Sequence, residues 1–171
     1  VPSSWIEEIR QYKDEYLDFP EAATAYYAMN ITKPPFDNPK VRRAFLLGLD
    51  REALSKFRKI TQPLYGKVPQ GSFPDYAKAA AKVGEQIRQE KGLAPEAWDK
   101  RYKFDPDTAR KLLTEAGFPV TKNGDDFECP SFPVDRIAIN FNTNESNKSV
   151  AEFLQAQWKR NLGVTVQLKT M

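Results

Sequence analysis

The C-terminal part of the chain changes its hydrophobic spacing twice, and this restricts the folds open to it. Apolar residues occupy every second position from Ile137 to Phe141 and again from Val164 to Leu168, which is the period of a β-strand with one buried face. Between these runs, residues Val150–Asn161 carry apolar side chains three and four apart, and Gly163 follows as a helix stop. Strand, helix and strand predict a βαβ unit with parallel strands and a right-handed crossover. Because parallel strands need cover on both faces, we expect an α/β protein in which the earlier helices pack on this sheet.

Cap residues and prolines predict where the earlier helices begin. Asn38-Pro39 and Asp105-Pro106 each place an N-cap side chain before a proline at the first helical position, and Asp50 predicts a third start. Two short helices should therefore meet near Leu49, and a later one should end at Gly117. Mostly polar helices are predicted over 75–92 and 95–102, and an extended loop over the proline- and glycine-rich stretch 61–75.

Two N-terminal segments carry aromatic residues in different patterns. Apolar residues spaced three and four apart predict an amphipathic helix over 3–18, with Ser3 or Ser4 as its N-cap. Residues 22–31 lose that spacing and contain Tyr26 and Tyr27, which predicts a strand. Aromatic side chains with a polar end favour binding clefts, but alternate residues of a strand face opposite ways. At most one of the two tyrosines can then point at a ligand, and core packing of both is the favoured alternative.

Composition excludes several classes of protein. A length of 171 residues suits one domain, and 40% apolar with 29% charged residues is an ordinary globular balance. The net charge of +3 comes from interspersed signs without a basic block, so no nucleic-acid partner is predicted. No run approaches the roughly 20 apolar residues of a membrane span, and no signal peptide is recognisable. The first residue is Val1 and not Met, which indicates a mature product or an excised piece.

The chain has no histidine, and this argues against an enzyme. Ser-His-Asp and Cys-His catalysis, and most zinc sites, need that residue. Cys129 is the only cysteine, so it is expected to be an inert, partly buried thiol. The carboxylate pair Asp125 and Asp126 lies in a polar stretch typical of an exposed turn. No phosphate-binding glycine loop is present, so we predict no catalytic residue, no metal and no cofactor.

A polar loop, Asn142 to Lys148, joins the first strand of the βαβ unit to its helix. Ligands of open α/β sheets meet the loops at the carboxyl ends of strands, and a helix start offers free N–H groups there. Asparagine can both donate and accept, which suits a peptide backbone or a sugar. Asn142, Asn144 and Asn147 are therefore candidate ligand-binding residues. The alternative is that Asn144 or Ser146 merely caps the helix.

Several ordered motifs resemble the family 5 solute-binding proteins, which are the oligopeptide, dipeptide and nickel receptors of ABC importers. The resemblance spans about residues 20–169. It is carried by Tyr26-Tyr27-Ala28-Met29-Asn30, by the Pro-Phe turn and Val-Arg-Arg-Ala helix within Lys33–Phe45, by Gly48–Leu54 with its Asp50-Arg51, by the loop at Tyr65-Gly66, by Asp105–Phe118 and by Trp158–Val166.

The resemblance implies one lobe of a two-lobed receptor that closes on an extended peptide. Tyr26 and Tyr27 would lie near the hinge, and the loop from Asn142 to Asn147 would line the cleft. Asn147 matches a position that contacts a peptide side chain in an oligopeptide-binding relative. Residues 76–102 resemble an insertion, because the polar helices are longer than the usual connection. The family continues beyond Met171, so the rest of the lobe, its acidic anchor for the peptide amino terminus and the other lobe are expected to be absent.

The expected function is that of part of the binding protein of a peptide ABC transporter, with extracytoplasmic oligopeptides as ligands and the transporter permease as partner. The implied location is periplasmic or extracellular, with a lipid anchor through a missing N-terminus as a further expectation. Two alternatives stay open: a receptor for a non-peptide solute such as a sugar, an opine or a nickel complex, and a stand-alone α/β protein-interaction domain.

Overall fold

The computed structural model describes residues 5–17, 21–66, 68–69 and 72–171. These residues form two compact units. The larger unit consists of Ala28–Pro63 and Phe104–Met171 together with Trp5 and Ile6, and the smaller unit consists of Glu7–Tyr27 and Leu64–Lys103. The single-domain organisation and the insertion over 76–102 remain predictions.

The larger unit confirms the predicted βαβ architecture. Strand β3 (Ala138–Phe141), helix α7 (Glu145–Leu162) and strand β4 (Gln167–Thr170) follow one another. The strands are parallel, in a register from Ala138 opposite Gln167 to Phe141 opposite Thr170. Strand β4 begins later than the alternating pattern predicts. Val164 and Val166 are buried, but they lie before β4, in the segment that follows the end of α7. In this segment the Val164 N–H donates to the Trp158 carbonyl of α7 at 3.3 Å.

Three side-chain caps confirm the predicted helix starts in the larger unit. Helix α2 (Pro39–Leu47) begins where Asn38 accepts a hydrogen bond of 2.9 Å from the Lys40 N–H. Helix α3 (Arg51–Arg58) begins at Asp50, which accepts from the Ala53 N–H at 2.9 Å. Helix α6 (Pro106–Glu115) begins at Asp105, whose two oxygens accept from the Thr108 N–H and hydroxyl at 3.0 and 2.7 Å. These bonds from Thr108, the backbone N–H first, lower the pKa of Asp105.

A short hairpin packs against the C-terminal end of α7, and the sequence predicted only its exposed turn. Strands β1 (Thr121–Asn123) and β2 (Asp126–Glu128) pair antiparallel around Gly124, which has a φ of +61°. Gly163 ends α7 at a φ of +70°. A Cβ added to Gly163 would lie 2.5 Å from the Glu128 Cα atom, so only glycine allows this approach of the two backbones.

The core of the larger unit lies between α2, α6, α7 and the parallel strands. Phe45 is at its centre, with ring centroids 5.0 Å from Trp158, 5.1 Å from Phe36 and 5.5 Å from Phe132. Ala109 and Leu113 of the predicted α6 stripe are fully buried, while Leu112 and Ala116 are half-buried. Helices α3 and α6 pack against α7, and α7 packs against both strands. The expected cover of both faces of the sheet is not observed over the described residues, because Asn140 and Lys169 on the strands are exposed.

Two N-terminal predictions are wrong. Helix α1 covers only Ile6–Arg10, and turns follow it as far as Glu15. Tyr12 and Leu17, two members of the predicted buried face, are 59% and 75% exposed, and a short helix without a packed face is not stable in water. Residues 21–30 contain no strand, because none of the described residues forms a ladder with them. The predicted caps Ser3 and Ser4 lie outside the described residues.

Helix α4 (Tyr76–Glu90) and helix α5 (Pro95–Lys100) form a helical hairpin in the smaller unit, close to the predicted bounds. The Trp98 ring packs beside Gly84, where an added Cβ would lie 3.6 Å from the indole. The Arg88 guanidinium donates to the Leu93 carbonyl at 2.7 Å, and Gly92 makes the turn at a φ of +60°. The described residues of the 61–75 stretch include neither helix nor strand, as expected.

Candidate functional site

The loop between β3 and α7 brings the three predicted asparagines together. Asn142 Oδ1 accepts a bond of 3.3 Å from the Asn144 N–H, and it also accepts a short bond from Asn147 Nδ2. A backbone N–H can only donate, so the bond from Asn144 shows which end of the Asn142 side-chain amide is the oxygen. Because that oxygen accepts from Asn147, the atom of Asn147 that faces it must be the amide nitrogen. These bonds use the oxygen of Asn142 and the nitrogen of Asn147. Within the described part of the chain, no hydrogen bond involves Asn142 Nδ2 or Asn147 Oδ1, so these two atoms can bind a ligand.

Helix α7 starts at this loop, and Asn144 is its N-cap. Its Oδ1 accepts a bond of 2.9 Å from the Ser146 N–H, while the backbone of Asn144 is extended. The capping alternative is therefore confirmed for Asn144 and not for Ser146. Asn142 and Asn144 are exposed and Asn147 is half-buried, so the loop presents amide groups at the carboxyl end of β3. Such a surface can bind peptide or sugar groups by hydrogen bonding.

Tyr26 and Tyr27 belong to the smaller unit, whereas the asparagine loop belongs to the larger unit. Both lie in a segment without regular structure, and their side chains are 80% and 44% exposed. The expectation that both pack in the core is therefore wrong. The strand-based argument that at most one can face a ligand loses its basis as well, because the segment has no strand pairing.

The other candidate groups differ in exposure. Cys129 is buried, and its thiol donates to the Phe118 carbonyl at 3.5 Å. Burial raises the pKa of the Cys129 thiol to about 11, which agrees with the expected inert residue. Asp125 and Asp126 are exposed at the hairpin turn. Among the described residues, no group of three or more histidine, cysteine or carboxylate side chains could hold a metal ion.

Two open grooves of about 490 Å³ each lie on the larger unit, away from the asparagine loop. The first lies between α6 and the hairpin, and the second lies beside the Pro34-Pro35 turn. In the first groove, Arg110 pairs with Asp107, donates to the Asn161 carbonyl at 2.8 Å and stacks on the Phe127 ring at 3.8 Å. Arg110 therefore joins α6, α7 and the hairpin. Sequence reasoning missed this role, since nothing in the spacing of Arg110 indicates partners so distant in the chain.

No helix of the described residues combines the length and the apolar character needed to cross a membrane.

The whole chain, residues 1–171, matches the sequence model described as bacterial extracellular solute-binding proteins, family 5 Middle. The chain belongs to this family. The periplasmic oligopeptide-binding protein OppA of Escherichia coli K12 is a relative, 31% identical over 161 residues, which are 93% of this chain and 25% of OppA. The glutathione-binding protein GsiB of the same strain is 36% identical over 107 residues, 61% of this chain and 17% of GsiB.

Solved structures agree with the family assignment. The crystal structure of a periplasmic oligopeptide-binding protein (OppAIV) from Borrelia burgdorferi matches 100% of this chain and 28% of its own length. Its TM-score is 0.73 and its sequence identity is 27%. The chain thus has the α/β fold of part of a lobe of a periplasmic binding protein. It spans about a quarter of the length of the OppA relatives that it matches.

Proposed function

We propose that the chain is part of the substrate-binding protein of a peptide ABC importer and contributes one wall of a peptide site. The observation that carries this proposal is the family match over the whole chain, with OppA of Escherichia coli as a relative at 31% identity. The asparagine loop supports it, because peptide backbones offer both donors and acceptors to amide side chains. The parent protein would act outside the cytoplasm, and its partner would be the transporter permease.

In this proposal the protein binds its ligand without bond chemistry. The two lobes of the parent would close on the peptide by a hinge motion, and the residues from Asn142 to Asn147 would contribute hydrogen bonds from one side. Tyr26 and Tyr27, which are both exposed, would contribute aromatic contacts near the hinge. The absence of histidine from the sequence supports a binding role and not a catalytic one.

Calorimetric titration of the full-length receptor tests this function. Trialanine, tetraalanine, pentaalanine and glutathione serve as peptide ligands, with maltose and a nickel–histidine complex as non-peptide solutes. We expect at least one peptide to bind and Asn147→Ala to weaken that binding by about fivefold or more, the cost of one buried ligand hydrogen bond. Asn123→Ala is the matched control, because Asn123 is an exposed asparagine of the hairpin.

Three outcomes contradict the proposal. Binding of maltose or the nickel complex without any peptide would identify a receptor for another solute. Binding of none of these ligands would favour the protein-interaction alternative. Equal affinities of Asn147→Ala and Asn123→Ala would remove the asparagine loop from the peptide site.

A further inference from the structure

The C-terminal end of α2 receives hydrogen bonds from outside its own helix. The last carbonyl groups of any helix lack intrahelical donors and need other partners. Trp158 Nε1 donates to the Phe45 carbonyl at 2.9 Å, and Asn161 Nδ2 donates to the Gly48 carbonyl at 2.9 Å. The Asp105 N–H donates to the Leu47 carbonyl, also at 2.9 Å. Two of these three donors come from neighbouring turns of α7.

Both donors of α7 are buried, so their geometry is strongly constrained. Trp158 is 7% exposed and Asn161 is 6% exposed. Asn161 Nδ2 also donates to Gln157 Oε1 at 3.0 Å, which holds the amide in one orientation. Hydrogen bonds depend steeply on distance and angle, whereas apolar contacts can often be repacked at small cost. The two bonds to α2 therefore fix the rotation and the axial position of α7 more strictly than its apolar contacts do.

The opposite end of α7 carries part of the asparagine loop. Its 18 residues span about 27 Å, so a tilt of about 5° at one end moves the other by about 2 Å. Asn142 follows β3, whereas Asn147 belongs to α7. A tilt of α7 would therefore separate these two side chains and break their bond. Binding sites need their side chains within about 0.5 Å of the productive geometry.

We propose that Trp158 and Asn161 are positioning residues, which set the place of Asn147 in the loop through their bonds to the α2 carbonyls. The role of these residues in peptide affinity rests on the proposed function, whereas their effect on the loop itself does not. Each acts through the helix, at the end distant from the loop.

Three variants of the full-length receptor separate positioning from stability. Asn161→Leu keeps the size of the side chain and removes both of its donors. Gln155→Leu removes another side-chain hydrogen bond of α7, the one from Gln155 Nε2 to the Val166 carbonyl, and leaves the bonds of Trp158 and Asn161 intact. Leu113→Ala opens a cavity in α6, where Leu113 is fully buried, and lowers stability without touching the α2–α7 bonds.

Two measurements are made at a temperature at which all variants are folded. Affinity for the peptide that wild type binds most tightly should fall about threefold to thirtyfold in Asn161→Leu and by less than about twofold in the two controls. In the ligand-free receptor, amide hydrogen exchange over residues 144–148 should accelerate in Asn161→Leu alone. If Asn161→Leu does not fold, Trp158→Phe replaces it, since this change removes only the indole donor.

The outcomes separate the two proposals. Unchanged exchange over residues 144–148 in Asn161→Leu would overturn the positioning role, whatever the binding result. Unchanged peptide affinity in that variant, with wild type binding, would overturn it for the ligand site. Absence of peptide binding by wild type, together with faster exchange in Asn161→Leu, would support the positioning role and reject the peptide function.

Discussion

The indole of Trp158 contacts Phe45 in two ways, through a hydrogen bond of 2.9 Å to its carbonyl oxygen and through ring packing at a centroid distance of 5.0 Å. Trp158→Phe keeps an aromatic ring and removes the donor, so the buried Phe45 carbonyl loses its partner. We expect a loss of about 1–3 kcal/mol in the free energy of unfolding, measured by urea denaturation of the 171-residue chain. Trp5→Phe is the control, because Trp5 is 60% exposed. Equal midpoints for the two variants would refute the role of the bond.

Two glycines with similar backbone angles should respond differently to alanine. Gly92 and Gly163 have φ angles of +60° and +70°, so both substitutions force alanine into the left-handed region, which costs about 1–2 kcal/mol. Apart from its chain neighbours, no atom of the described residues lies within 4 Å of an added Cβ at Gly92, whereas the Glu128 backbone lies within 2.6 Å at Gly163. Gly163→Ala should therefore lower the denaturation midpoint far more than Gly92→Ala. A similar loss in both would mean that the hairpin does not pack against the end of α7 as described.

Gly84 offers a stabilising substitution in the smaller unit. It lies inside α4, where glycine costs about 1 kcal/mol relative to alanine. An added Cβ would lie 3.6–3.9 Å from the Trp98 ring, an ordinary contact distance. Gly84→Ala should raise the stability of the α4–α5 hairpin by about 0.5–1 kcal/mol. Thermal unfolding monitored by circular dichroism measures this change. Ala81→Gly, at an exposed position of the same helix, should cause a loss of similar size. A loss in Gly84→Ala would indicate a tighter contact with Trp98.

The Cys129 thiol should make stability depend on alkaline pH. Its pKa in the folded chain is raised from 9.0 to about 11, so the protonated thiol is favoured by folding. This contribution is complete below about pH 9 and is lost as the pH rises towards 11. The free energy of unfolding, measured in urea, should fall more between pH 8 and pH 11 for wild type than for Cys129→Ala. The substitution removes the titrating thiol and leaves other alkaline titrations unchanged. Equal losses would show that the thiol ionises as easily in the folded chain.

The 171-residue chain alone should bind peptides weakly or not at all. It holds the asparagine loop, whereas a ligand pocket normally encloses most of its ligand from several sides. Calorimetry with the peptide that the full-length receptor binds most tightly should give little heat with this chain. Comparable affinity of the chain and the receptor would show that the described residues already form a complete site.

Local signals predicted most of the helices and the βαβ unit. Caps such as Asn38, Asp50 and Asp105 act within three residues, so their effect is readable from sequence alone. The segment around Tyr26 depends instead on a neighbouring strand, which the described residues do not provide, and its composition was misleading. The loop asparagines were predicted as a group because they follow one strand. The donors on α7 were not, since their acceptors on α2 are set by tertiary packing.

The bonds from Trp158 and Asn161 to α2 each join residues 113 positions apart in sequence. A contact of that span requires the closure of a very long chain segment before it yields any stabilisation, which slows folding. During synthesis, helix α2 would leave the ribosome long before the residues that donate to its carbonyls are made. Its apolar face would remain exposed to solvent during that time. The larger unit should therefore fold late and depend on chaperones at that stage, whereas the α4–α5 hairpin, built from local contacts, can form early.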